Sequence, residues 1–168
     1  MTEVLKPQTA EQLLESIQWA LSSETPLEIS AGGSKRAFGS PSGATHRLDL
    51  ADLSGIGLYE PDELVMGAAP ATPMAEIRAA LADNSQRLAF EPPDLGPLLG
   101  APAASDTIGG VIACNLAGPR RIHAGAARDH LLGFRAVSGR GEEFKSGGRV
   151  VKNVTGFDLS KLMAGSFG

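Results

Sequence analysis

Two glycine clusters carry most of the chemistry that this chain of 168 residues offers. The first, Ala31-Gly32-Gly33-Ser34-Lys35-Arg36, follows a short strand-like run, Pro26-Leu27-Glu28-Ile29-Ser30. A glycine turn exposes backbone N–H groups that no Cβ obstructs, and successive N–H groups form a concave nest for an anion such as a diphosphate. Gly32, Gly33 and Ser34 supply that nest and Lys35 adds a positive charge. The same residues also read as an ordinary tight turn, and they lack the spaced glycine triplet of a Rossmann unit. The second cluster is Thr107-Ile108-Gly109-Gly110-Val111-Ile112-Ala113-Cys114-Asn115, where adjacent glycines let the main chain lie against a flat ring. A glycine-rich helix start with a small buried face is the competing reading. Asn115-Leu116-Ala117-Gly118-Pro119 then makes a sharp exit.

The remaining reactive side chains give weaker signals. Arg120-Arg121 suits an anionic substrate carboxylate or a partner's acidic surface, and equally a solvated surface. Cys114 is the lone cysteine, has no neighbouring base, and reads as a small buried hydrophobe. His46, His123 and His130 occur singly, outside any metal-ligand spacing, so no metal site is expected. Arg128-Asp129 with His123 reads as a surface turn carrying an ion pair. No residue presents itself as a catalytic base.

The elements that must position these residues alternate in the first half. Thr9 and Gln12 form a capping box, and Leu13, Leu14, Ile17 and Leu21 recur at helical spacing, which predicts a helix over Ala10 to Ser22. Strands are expected at Pro26–Ser30, His46–Leu50 and Glu63–Ala68, with a turn around Tyr59-Glu60-Pro61-Asp62. Thr72 is expected to cap, and Pro73 to begin, a second helix through Ala82 that buries Met74, Ile77 and Leu81. Phe90 to Thr107 has no sustained period and predicts a long loop, of the kind that usually serves a site. A short helix follows from Thr107, then a hairpin of Leu131–Ser138 and Glu142–Ser146 joined by Gly139-Arg140-Gly141, and a last helix over Asp158–Met163.

Composition narrows the function classes. An apolar fraction of 42% with 20% charged residues suits one soluble globular domain. A net charge of -4 and 5% aromatic residues argue against a nucleic-acid partner, which needs a basic face and stacking rings. One cysteine excludes an internal disulfide and points to a reduced, cytoplasmic compartment. The chain has no leader-like start and no bilayer-length apolar run, so any membrane association is expected to come through a partner.

Four blocks line up in order with the FAD-binding domain of the vanillyl-alcohol-oxidase and p-cresol-methylhydroxylase superfamily. They are Ala31 through Lys35, the run Glu91-Pro92-Pro93-Asp94, the block Thr107 through Arg121, and Lys152 through Gly168 (Lys-Asn-Val-Thr-Gly-Phe-Asp-Leu-Ser-Lys-Leu-Met-Ala-Gly-Ser-Phe-Gly). The wording Cys-Asn-Leu-Ala-Gly-Pro-Arg-Arg at Cys114–Arg121 is most similar to the E subunits of bacterial glycolate oxidases. Ser30-Ala31 departs from the Arg-Gly pair common in relatives, which removes an anion contact and some backbone freedom.

The resemblance implies an α+β fold with a small parallel βαβ lobe over about 1–92 and a mainly antiparallel lobe over about 93–168, the cofactor lying between them. It implies non-covalent FAD near Gly32, Gly33, Ser34, Lys35, Pro93, Thr107, Gly109, Gly110, Ala113, Asn115 and Gly118. The activity implied is oxidation of a 2-hydroxy acid, glycolate to glyoxylate, by hydride transfer to flavin. The partners implied are the flavin-carrying D and iron-sulfur F subunits of a glycolate oxidase-like complex. Family members continue past Gly168, so the second lobe is expected to be incomplete, the isolated chain inactive, and an open sheet edge available for a homodimer or partner. Two alternatives stand beside this reading: a scaffold or assembly module of the same fold that does not retain FAD, and a different FAD-linked oxidase such as a D-lactate dehydrogenase-like enzyme.

Overall fold

A computed structural model describes residues 3–40, 42–148 and 156–168. Lys152 to Thr155, the start of the fourth block, lie outside the described residues.

The first helix, α1 (Ala10–Ser22), begins where its cap signal places it, with Thr9 Oγ1 accepting from the Gln12 N–H at 3.2 Å. Gln12 reaches back to the N–H of Gln8, one residue before the cap, at 2.7 Å. Helix α1 connects two strands of a parallel three-stranded sheet, ordered β1 (Glu3–Leu5), β3 (His46–Asp49), β2 (Leu27–Ser30). Leu48 on the central strand is buried. Strand β1 has no counterpart among the expected strands, because three residues are too short to display a period of two.

Strands β4 (Ile56–Glu60) and β5 (Val65–Ala68) pair antiparallel. The expected turn at Tyr59-Glu60 needs correction: both residues belong to β4, and the reversal comes at Pro61–Leu64, with Leu64 at φ 56°. Gly55 and Gly57 interrupt the apolar pattern that would announce β4. Tyr59 is held there by its hydroxyl, which donates to Gln86 Oε1 at 2.7 Å.

Helix α2 (Met74–Asp83) buries Met74, Ile77 and Leu81 as expected, but starts a residue later than expected. Pro73 is extended (φ -61°, ψ 139°) and sits before the helix, drawn into an antiparallel bridge with Thr107. Thr72 is therefore not the cap. Its hydroxyl oxygen lies 2.7 Å from Ala69 O and accepts from the Gly55 N–H at 2.9 Å. Around α2 the core gathers Phe90, Val111 and Ala127, with Ile56, Tyr59 and Met66 packed against it. The core thus joins residues from both sides of Pro93.

The second half holds α3 (Ile108–Ala113), α4 (Arg121–Ala124), α5 (Ala127–His130), the antiparallel hairpin β6 (Gly133–Val137) and β7 (Glu143–Gly147), and α6 (Leu159–Met163). The long loop from Phe90 contains one 3-10 turn at Pro97–Leu99. The surface turn expected at His123 and Arg128-Asp129 is instead two helical turns. Asp129 accepts from the Ala126 N–H at 2.8 Å and faces Lys161 at 3.9 Å rather than pairing with Arg128. Gln18 of α1 donates to Gly141 O at 3.1 Å, fastening the hairpin turn to that helix.

Candidate cofactor site

Loop one leaves β2 at Ser30 and immediately meets the segment before α3. A Cβ on Gly32 would stand 1.9 Å from Ser105 O and 3.2 Å from Thr107 Cγ2, so only glycine permits this approach. Gly33 takes φ +74°, in the left-handed region, and turns the chain toward Ser34. Ser34 is buried, and its Oγ accepts from Lys35 Nζ at 3.0 Å. A Cβ on Gly110 would lie 3.3 Å from Lys35 Nζ, so the lysine crosses from loop one to α3. Arg36 does not share that role. It grips Glu28 of β2 at 2.7 and 3.1 Å, and that bond holds the Glu28 carboxyl below its ordinary range.

The opposite wall is fixed by backbone bonds to α2 and the residues before it. Met74 N–H donates to Asp106 O at 3.0 Å, Ile108 N–H to Thr72 O at 3.0 Å, and Gly109 N–H to Pro70 O at 2.8 Å. Thr107 caps α3, its Oγ1 accepting from the Gly110 N–H at 3.4 Å. Between the walls lies a cleft of about 240 Å³ lined by Ala31, Gly32, Ser54, Pro73, Ser105 and Thr107 among others. Gly32 of loop one and Thr107, the cap of α3, share this cleft, whereas Gly33, Ser34, Lys35, Gly109 and Gly110 do not line it.

The adjacent glycines divide their work. Gly110 faces Lys35, whereas a Cβ on Gly109 would stand 2.7 Å from Pro70 O, so Gly109 seats α3 on the residues before α2. Asn115 takes φ 50° and spends its Oδ1 on the Arg128 N–H at 2.8 Å, tying the α3 exit to α5. Gly118 packs against Glu91, where a Cβ would be 2.6 Å from the carbonyl oxygen. Ala113 O accepts from the Phe167 N–H at 2.9 Å, and Phe167 stacks on Phe38 with centroids 5.9 Å apart. Pro93 is exposed beside buried Pro92.

Arg120 is committed elsewhere: it grips Glu91 at 2.5 and 3.0 Å, and the bond lowers the Glu91 carboxyl. That pairing, invisible in sequence because its partner is 29 residues away, takes up the charge that a substrate carboxylate would need. Arg121 is exposed on α4. Cys114 is half-buried; burial pushes its thiol up and the Lys35 charge opposes that. His46 lies 3.1 Å from Glu3, and His130 lies 2.7 Å from Ala124 O. Among the described residues no group of three or more His, Cys, Asp or Glu is arranged to hold a metal.

Two acidic residues given no role from sequence shape the cleft wall. Asp94 accepts from the backbone N–H groups of Gly96 and Ala104, and the Asp-Leu-Gly spacing is an available signal for such a turn. Asp106 is fully buried, pairs with Arg78 at 3.3 Å, and has no partner for its Oδ1 among the described residues. Nothing local in the sequence marks it as buried.

The sequence model of a family described as FAD binding domain matches residues 2–147. Glycolate oxidase subunit GlcE of Escherichia coli is 44% identical over 160 residues, covering 95% of this chain and 43% of that protein. Glycolate oxidase subunit GlcD of Bacillus subtilis is 37% identical over 79 residues, covering 47% of this chain and 16% of that protein. A solved structure of alkyldihydroxyacetonephosphate synthase superposes with a TM-score of 0.74 at 18% identity, over 98% of this chain and 29% of that one. At that identity the likeness shows the fold alone. The chain spans less than half the length of these relatives.

Proposed function

The chain belongs to the FAD-binding domain family, and from that membership we propose that its two glycine loops hold FAD without a covalent link. The fold is the α+β fold of the p-cresol-methylhydroxylase type. The reading extends to one FAD-binding subunit of a glycolate oxidase-like complex acting on a 2-hydroxy acid, glycolate being the first candidate, alongside flavin and iron-sulfur subunits. The similarity to GlcE and GlcD supports it.

The residues fit the group. Gly32 lines the cleft and lets loop one press against Ser105, Gly33 makes the left-handed turn after it, Ser34 is buried beside them, and Lys35 crosses to Gly110. The single observation carrying the proposal is the Lys35 ammonium: half-buried between the two loops, it makes no ion pair among the described residues. The Asp94 carboxylate feels this charge only from beyond ion-pair distance, and a diphosphate would supply a close counter-charge. When bound, FAD supplies the acceptor for a hydride removed from the substrate. The chain's own contribution is to hold and orient. Asp94 and Glu91 are both shifted below the ordinary carboxylate range, so neither is tuned as a general base at neutral pH.

Lys35→Met tests this directly. A charge-assisted contact is worth about 1.5–3 kcal/mol, so FAD affinity is expected to fall roughly ten- to a hundredfold. Riboflavin, which lacks the diphosphate, should bind the variant and the parent equally in a fluorescence titration. An equal loss for both ligands, or for neither, contradicts the role given to Lys35.

Assembly through a sheet edge belongs to the same proposal. The edge expected from the sequence lies in the second half, where β6 and β7 pair as a two-stranded sheet. Unpaired edges invite pairing with another chain. Gel filtration is expected to show a dimer, and a monodisperse monomer at high concentration counts against it.

A further inference from the structure

The loop that separates the two halves of the core is tied by one carboxylate. Asp94 Oδ1 accepts from the Gly96 N–H at 2.9 Å and Oδ2 from the Ala104 N–H at 2.8 Å, so the ends of the excursion are pinned to one side chain. Inside it, Leu99 N–H donates to Leu95 O at 3.0 Å and Ala101 N–H to Gly96 O at 2.8 Å, with Gly100 at φ +77°. Gly96 is buried, and a Cβ there would meet Pro102 O at 2.6 Å and Ser105 Oγ at 3.1 Å. Ser105 Oγ closes the turn on Pro102 O at 2.7 Å. The residue delivered by this knot, Ser105, is the one whose carbonyl Gly32 packs against.

We propose that Asp94 is a positioning residue for the cofactor cleft: by holding Gly96 and Ala104 its carboxylate sets where Ser105 stands, and hence the gap between loop one and α3. This rests on the FAD reading above and adds to it a residue that touches no ligand. The clasp needs an acceptor on both oxygens. Asparagine offers one, and its amide N–H₂ would face a backbone N–H.

The charged groups facing Asp94 are Lys35 from loop one and Arg78 from α2, the latter shared with Asp106. The two backbone N–H bonds lower the Asp94 carboxyl most, and Arg78 and Lys35 lower it further. A depressed carboxyl contributes fully above its unfolded value and is lost as pH falls through its folded value. The clasp is therefore intact at neutral pH and opens only in acid, below the ordinary aspartate range.

The test is FAD affinity of the full chain, read by flavin fluorescence from neutral pH downward over the range where circular dichroism shows the fold intact. Affinity in the parent is expected to hold at neutral pH and weaken in acid. Asp94→Asn is expected to be about ten- to a hundredfold weaker at neutral pH and to lack the acid limb. If the parent binds no FAD at neutral pH, the FAD reading itself fails. A parent that binds FAD with no acid weakening before the fold is lost, or an Asp94→Asn chain that binds as the parent does, overturns the positioning role alone. Because the parent's own pH profile decides, the proposal stays exposed even if the variant does not fold.

Discussion

Gly32→Ala is expected to give a folded chain that has lost FAD. The added methyl would sit 1.9 Å from Ser105 O and 3.0 Å from its carbonyl carbon. These are backbone atoms, held by the Pro73–Thr107 bridge and the Asp106–Met74 bond next to them, so no side chain can swing away to relieve the clash. Loop one must retreat instead, by about an ångström or more, since overpacking is relieved by backbone shifts. The stability cost is about 1–3 kcal/mol, while the diphosphate nest and α3 no longer share one ligand. Affinity for FAD should fall by about a hundredfold or more, equivalent to about 2.7 kcal/mol. Gly33→Ala is the informative companion. Its Cβ would meet only Arg36 side-chain atoms at 3.6 Å or more, and its penalty comes from φ +74°, about 1–2 kcal/mol of local strain. Fluorescence titration with circular dichroism on both variants separates loss of approach from loss of turn geometry. Equal retention of FAD by Gly32→Ala would mean the loop contact is incidental to binding.

Met74→Ala carries the largest expected loss of stability. Its side chain is fully buried at the first turn of α2, in the cluster with Ile77, Leu81, Phe90 and Val111. Truncation to alanine removes the transfer term and leaves a cavity, together about 2–5 kcal/mol. For a domain stabilised by about 5–15 kcal/mol that is a large share. The backbone bond from residue 74 to Asp106 O survives the truncation, so the expected loss is in stability rather than in the placement of Ser105 and Thr107. Urea unfolding should show a lower midpoint with an unchanged slope. Leu98→Ala, at a position 81% exposed, should stay within about 0.5 kcal/mol. A Met74→Ala midpoint as high as that control would remove α2 from the centre of the core.

What the sequence reveals of this molecule follows from how local each signal is. The Thr9 cap, the short helix after Thr107 and the Gly139-Arg140-Gly141 reversal are all decided within a few residues and form where expected, whereas Leu21 of the apolar α1 face stays 45% exposed. Strand β4 is hidden because Gly57 within it and Gly55 before it break the alternation, and β1 because it is too short to alternate. The Thr72 assignment fails for a tertiary reason: the hydroxyl is satisfied by Gly55 and Ala69, and Pro73 is drawn to Thr107. The two loops are legible as glycine clusters, but not the division between Gly110, facing Lys35, and Gly109, seated on Pro70. Arg120 shows the same limit, since its pairing with Glu91 depends on chain segments that meet only after folding. Asp94 sits inside a block recognisable by resemblance, yet its role emerges only when Gly96 and Ala104 are seen to share its carboxylate.

The convergence of loop one and α3 on a single diphosphate-bearing ligand is tested most directly by titrating the chain with FAD while following flavin fluorescence and thermal unfolding. A saturable one-to-one complex is expected, with a melting temperature that climbs with FAD concentration, because a ligand bound only by the folded state stabilises it. Flavin emission that never saturates, with unfolding unmoved by excess FAD, would contradict it.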